Sequence, residues 1–258
     1  MHPTIDLIFL DLPIYTGLAM LGSATGLVFA YLFLRARSRR LATVSTFLNG
    51  AVIVFVAGWV GARLYHVAVN WDYYAARPSE IAEVGLGGMA MRGALIAGFI
   101  GLALYSRVSR IQFNKLGDAA AMGLPIGQAI GWIGALVWGA NYGVVSDNQI
   151  AMDLPDLYGL VAPRFPLQLA EIILYAGLFF ILCVLALRKP RAGILFSVYL
   201  LVASAANFAL GFQRGDATRY LGTLSIDQWV DAALAIIATA HMFYTAVWQT
   251  RKLETRGE

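Results

Sequence analysis

Five ionisable residues, Arg63, Arg92, Arg164, Glu171 and Arg214, stand inside or at the ends of long apolar runs. A charge there is costly and is a functional candidate by default. Tyr15, His66, Asn141, Gln168 and Asn207 are their polar neighbours. Arginine carries a planar fork of donors that grips a phosphate through two parallel hydrogen bonds. Several arginines gathered at one side of a membrane would form a phosphate pocket. Singly, each would snorkel to the headgroup region and hold any anionic lipid. Gln168 and Glu171 share a helix face at i, i+3, and Arg164, seven residues before Glu171, is expected on the same face. This trio reads either as a structural ion pair or interhelical hydrogen bond, or as a carboxylate that orients an arginine or a substrate.

Other chemistries find less support. Three scattered histidines (His2, His66 and His241) and the single Cys183 offer no metal-ligand cluster, so no metal or cofactor is expected. Gly85–Gly88 lacks the preceding strand and the lysine of a phosphate loop. No spacing favours Ser-His-Asp chemistry. Cys183 lies in the apolar run Ile172–Leu187, so no disulfide framework exists within the chain. The net charge of +4 comes from basic residues at the ends of apolar runs, which points to membrane topology and not to nucleic acid.

The elements that must position these residues follow from composition. The 258 residues are 59% hydrophobic and 13% charged, against roughly 25% charged in a soluble domain. In lipid the backbone must satisfy its own hydrogen bonds, which leaves helices or a closed barrel. Barrel strands would alternate apolar and polar residues, whereas here uncharged stretches of roughly 20 residues recur. The expectation is an all-α polytopic membrane protein with about seven spans, near 14–34, 43–62, 88–105, 119–138, 166–187, 193–211 and 225–248. Gly87, Gly88 and Gly93, and then Gly123, Gly127, Gly131 and Gly134, predict close helix contact or a partly unwound, cavity-lining segment.

Alternate loops, after the first, third, fifth and last spans, hold 13 of the 19 basic residues, including Arg35, Arg37, Arg39, Arg40, Arg251, Lys252 and Arg256. The other side keeps Arg63, Arg77, Arg92, Arg164, Arg214 and Arg219. The positive-inside rule then sets the N-terminus outside and the C-terminus in the cytoplasm. The outer connections, Asn70–Val84, Asn141–Ala162 and Phe212–Leu224, hold aromatics, prolines and acids, so chemistry is expected to face outward. Arg35 is the first basic residue, so no cleavable signal is expected. No soluble domain, low-complexity segment or internal repeat is visible, and residues 1–258 read as one integral membrane domain.

Four segments appear in order: GARLYHVAVNW (61–71), GGMAMRGALIAG (87–98), LPIGQAIGWIGALVWGANYG (124–143) and PRFPLQLAE (163–171). LPIYTGL (12–18) precedes them and LGTLSIDQWVDAAL (221–234) follows. Together they resemble the prolipoprotein diacylglyceryl transferase family over nearly the whole chain. The resemblance implies a seven-helix enzyme of the bacterial inner membrane that moves the diacylglyceryl group of phosphatidylglycerol onto a lipobox cysteine thiol and releases glycerol phosphate. It implies phosphatidylglycerol or another anionic phospholipid and a preprolipoprotein signal peptide as partners, with no cofactor. It places Tyr15 and Arg92 at catalytic positions, and Arg63, Gly143, Arg164, Gln168 and Glu171 at substrate-binding ones.

The departures fall where that chemistry lives. The family's His-Gly-Gly is here Arg92-Gly93-Ala94. In its central stretch Trp132 replaces an arginine, Ala135 and Trp138 two asparagines, and Ala140 a glutamate. Asn207 and Gly211 fall where the resemblance places a further arginine and glutamate. Tyr15, Arg63, Asp118, Arg164, Gln168, Glu171 and the glycine framework survive. Arg92 could act as a relocated phosphate clamp but not as a base, because guanidinium keeps its proton. Tyr15 and His66 are the remaining candidates for that role. Two classes of function stay open: a divergent lipid transferase, acting on the lipobox or on another acceptor, and a non-catalytic relative that binds phospholipid or lipoprotein precursor. A transporter is disfavoured because no mid-span charge pair is evident.

Overall fold

The computed structural model describes residues 4–7, 10–38, 43–83, 87–216 and 220–254. His2, Arg39, Arg40, Gly85, Arg219 and Arg256 lie outside the described residues. A hairpin of β1 (Thr4–Leu7) and β2 (Leu10–Pro13) leads into α1 (Ile14–Arg37), and α2 (Val44–Val69) follows. A short α3 (Trp71–Ala75) and a 3-10 turn (Pro78–Ala82) precede α4 (Met91–Ser109) and α5 (Phe113–Trp138). The hairpin β3 (Met152–Pro155) and β4 (Val161–Arg164) leads to α6 (Leu167–Leu187) and α7 (Ile194–Leu210). A two-residue pairing of β5 (Tyr220–Leu221) with β6 (Leu224–Ser225) opens α8 (Ile226–Glu254). Seven of these helices are long and apolar enough to cross a membrane. Large apolar side chains such as Phe55, Ile100, Ile173, Phe180 and Phe243 are exposed on them, as lipid-facing surfaces require.

The third span begins at Met91, three residues later than its apolar run suggests. Gly87 and Gly88 have φ of 83° and 78°, a left-handed conformation that a helix cannot contain. Gly93 instead lies inside α4, where a Cβ would collide with the Gly61 carbonyl of α2. The glycine cluster therefore does both things expected of it, unwinding at 87–90 and packing closely at 93.

Two tight helix pairs follow from small residues. A Cβ on Gly26 of α1 would lie 2.8 Å from the Gly123 carbonyl oxygen of α5, and one on Gly127 2.8 Å from that of Gly22. α2 and α4 meet likewise through Gly58 and Gly61 against Gly93 and Ala94. Between the two pairs runs an apolar groove of about 460 Å³, lined among others by Gly22, Val54, Trp59, Met91, Leu102 and Leu124. On its far side α5, α6, α7 and α8 share a core around Met122, Tyr175, Leu178, Leu182 and Tyr199. Asp118, at the opposite end of α5 from the long α5–α6 loop, accepts from Gly193 N (2.8 Å) and Phe196 N (2.9 Å) and so caps α7.

Gly127→Val is expected to force α1 from α5 and to cost about 1–3 kcal/mol, the usual price of overpacking. Gly131→Ala, with nothing within 4 Å of the new Cβ, should change stability by no more than about 0.5 kcal/mol. Thermal unfolding in detergent checks both, and equal midpoints for the two variants would contradict the close α1–α5 contact.

Candidate functional site

The connections after α2, α5 and α7 gather at one end of the bundle, and this polar end holds nearly every buried charge. Its frame is a short stretch of extended chain. Residues 142–146 run between 163–165 and 213–215, with Val144 N donating to Gln213 O (2.9 Å), Gly215 N to Tyr142 O (2.9 Å), Ser146 N to Pro163 O (3.0 Å) and Phe165 N to Val144 O (2.9 Å). Gly143 pairs with Arg214 and Val145 with Arg164. A Cβ at Gly143 would collide with the Phe165 carbonyl, so a glycine is required for this backbone contact. One strand thus sets the positions of two arginines.

Arg92 opens α4 and reaches α8. Its Nε donates to Asp231 Oδ1 (3.1 Å), Nη2 to Asp231 Oδ2 (2.6 Å) and Nη1 to Asp227 Oδ2 (2.8 Å). Tyr65 of α2 donates to the other Asp227 oxygen (2.7 Å), and Arg214 Nη1 also reaches Asp227 Oδ2 (3.3 Å). Arg214 donates in addition to Asp216 (2.8 Å) and to Asn141 Oδ1 (3.3 Å). Burial works against the Arg214 charge, but the Asp216 and Asp227 carboxylates together raise the guanidinium above its ordinary range. A single network therefore ties α2, α4, α8 and the segment after α7.

Asp227 and Asp231 were not singled out among the charges in the sequence. Their i, i+4 spacing at the head of an apolar run was the available signal, since it sets both carboxylates on one face of α8.

Arg63 lies apart from this network. It is buried, and its five N–H groups donate to the carbonyls of Glu80, Ile81, Glu83, Gly87 and Gly88 at 2.6–3.1 Å, while the guanidinium stacks on Tyr74. In this geometry no donor of Arg63 is left for a phosphate; the side chain holds residues 80–83 and 87–88 against α2. Arg164 forms a third group. Its Nη2 donates to Asp156 Oδ2 (3.0 Å) and its guanidinium lies over the Tyr142 ring. Asp156 in turn accepts from Tyr158 N and Leu160 N, which fixes the β3–β4 turn. No hydrogen bond or ion pair joins Arg63, Arg92 and Arg164 to one another among the described residues.

Arg164 ends β4, and α6 starts only at Leu167, so the shared helix face extends to Gln168 and Glu171 but not to Arg164. The three still have one property in common. Arg164 Nε, Gln168 Oε1 and Glu171 Oε2 are the buried side-chain polar atoms without a hydrogen-bond partner among the described residues. Gln168 is otherwise fixed by donating to Ala140 O (3.1 Å).

The positions where the resemblance expects other residues are mostly engaged in packing. Trp132 joins the apolar core of α5–α7 and Ala135 is buried. Trp138 tilts against Tyr15, with centroids 6.4 Å apart. Ala140 contributes only its carbonyl, as the acceptor for Gln168. Asn207 donates to Tyr175 Oη and Ala203 O, both at 2.8 Å, and Gly211 makes room for the Gln228 side chain. At the opposite end, Ser197 Oγ lies 2.8 Å from His241 Nδ1, and His241 Nε2 lies 3.2 Å from Asn114 Oδ1. Ser197 is fully buried and donates to Gly193 O, so this chain braces α5, α7 and α8 and presents no nucleophile.

Arg63→Lys replaces five donors in a fixed fork by three on a flexible stem. Amide exchange across residues 78–90 is expected to accelerate by at least about tenfold, equivalent to roughly 1.4 kcal/mol of local stability. Unchanged exchange in this loop would show that the arginine does not hold it.

Residues 4–244 match the family described as prolipoprotein diacylglyceryl transferase. The phosphatidylglycerol–prolipoprotein diacylglyceryl transferase of Symbiobacterium thermophilum is 32% identical over 80% of this chain and 78% of its own length. The protein of that name from Dehalococcoides mccartyi strain BAV1 is 34% identical over 88% of this chain and 87% of its own, and that of Bacillus cereus 31% over 92% and 90%. Fold, motif order and these relatives agree: the chain belongs to the prolipoprotein diacylglyceryl transferase family.

Proposed function

We propose that this protein takes a phospholipid from the bilayer and transfers its diacylglyceryl group to the thiol of a lipobox cysteine. Phosphatidylglycerol is the donor named for the relatives. The observation that carries this reading is the junction of groove and polar end. The apolar groove between α1–α5 and α2–α4 is lined at one end by Trp59, Ala62, Met89 and Met91, next in sequence to Arg63 and Arg92. An acyl chain lying there keeps its headgroup at the polar end without leaving the membrane plane. The asymmetry of basic residues supports an outward-facing polar end, an N-terminus outside, a C-terminus in the cytoplasm and a single domain in a bacterial inner membrane. The second substrate is then the signal peptide of a preprolipoprotein.

The geometry also favours a second reading, a relative that binds the lipid but turns it over slowly or not at all. Arg92 stands where the family pattern has histidine, and Asp227 and Asp231 bind it on both sides. Loss of a general base removes about 10²–10⁴-fold in rate.

Purified protein given phosphatidylglycerol and a lipobox peptide should form the thioether-linked diacylglyceryl peptide, read by mass spectrometry, at least about 100-fold more slowly than the Bacillus cereus relative. A rate equal to that relative's would rule out the slow reading. No product at all, with lipid still bound, would leave the binding protein and overturn the transferase.

A further inference from the structure

We infer that Glu171 takes the thiol proton in this chain, in place of the histidine that the family pattern carries at position 92. The inference rests on the transferase reading proposed above. It starts from the orphaned atoms. A buried polar atom without a partner costs free energy, and one retained in a native fold marks a missing ligand, a water or a catalytic task. Glu171 and Gln168 are 3% and 1% exposed, and the unpartnered atoms Oε2 and Oε1 are both acceptors. What they lack is a hydrogen-bond donor. A cysteine S–H is such a donor, and so is a hydroxyl of a glycerol headgroup.

Position decides among the acids. Asp227 and Asp231 are occupied by Arg92, Asp216 by Arg214, and Asp156 by Arg164 and two backbone amides. Among the described residues of the polar end, Glu171 is the carboxyl within a membrane span that no guanidinium binds. It is not remote from the altered site: Arg92 of α4, Arg214 after α7 and Asp231 of α8 act on its charge, and Tyr175 lies one turn further along α6. His66, the other candidate, packs its ring against Tyr74 and Gly88 on the side of the Arg63 loop. Arg164 Nε is the matching orphan on the donor side, buried at the end of β4. The acceptor that the thiol proton needs is Glu171 Oε2.

The step balances with these groups alone. The thiol proton passes to the Glu171 carboxylate as sulfur forms its bond to the terminal glyceryl carbon of the lipid. The bond from that carbon to the phosphate ester oxygen breaks, and its electron pair leaves with glycerol phosphate. Glu171 then returns its proton to the solvent or to the departing phosphate. Gln168 Oε1 accepts from a headgroup hydroxyl and holds the lipid in register.

The test uses the full chain in phosphatidylglycerol vesicles with two lipobox peptides, one carrying cysteine and one selenocysteine. A selenol is ionised at neutral pH without a base, so it bypasses the proposed step. Glu171→Gln should lower transfer to the cysteine peptide by about 100-fold or more, and should lose the rise of rate with pH that ionisation of a carboxyl base gives. With the selenocysteine peptide the variant should come within about threefold of the parent. Glu171→Asp, which keeps a carboxylate, should retain part of the cysteine activity and the pH dependence. Equal losses on both peptides would overturn the inference, because they show a packing role; so would an unaffected Glu171→Gln. A parent chain inert toward both peptides would overturn the transferase reading itself, and this inference with it.

Discussion

Hydrocarbon offers no water to a charged group, so each arginine near the polar end must find its partners within the protein. Arg63 finds five backbone carbonyls, Arg92 two aspartates, Arg164 an aspartate and a ring, and Arg214 two aspartates and an asparagine. Most of the architecture there follows from this requirement. Residues 80–83 and 87–88 fold over Arg63, the β3–β4 turn is tied to Arg164 through Asp156, and α4 is fastened to α8 through Arg92. Removing one partner of a buried pair costs about 3–5 kcal/mol, since the other charge is left uncompensated. The pairs therefore change together or not at all.

That constraint also fixes what the Arg92 side chain can do where it stands. A guanidinium keeps its proton, and one clasped on both sides by carboxylates has few donors left for a phosphate. The arginine gives α4 and α8 a common anchor. Nearby, Trp132 packs on the α5–α7 core, Ala135 is buried and Trp138 lies against Tyr15. Against this background the unpartnered atoms of Arg164, Gln168 and Glu171 stand out among the described residues.

The seven spans were legible from the length of their uncharged runs, and the family framework from the order of its segments. The start of α4 was not, because hydropathy does not register that Gly87 and Gly88 take positive φ. Nor was the end of α2: the apolar run fades near residue 62, but the helix continues to Val69 since Arg63 is caged by the loop that folds back over it. Arg63 read as a lipid ligand because its type and position suggested one, and only three-dimensional contacts reveal carbonyls around it. Arg164 was set on a helix face by spacing alone, whereas Pro166 delays the helix. Asp227 and Asp231 were overlooked for a different reason. Their partner is 135 or more residues away in sequence, so no local pattern links them.

The central claim is that Arg92 is a structural clamp between α4 and α8. A double-mutant cycle on unfolding in detergent, with Arg92→Met, Asp231→Leu and the pair, measures it directly. Each single variant should be strongly destabilised and the double variant should recover much of the loss, giving a coupling of at least about 1.5 kcal/mol. A coupling near zero, with Arg92→Met as stable as the parent chain, would contradict the account.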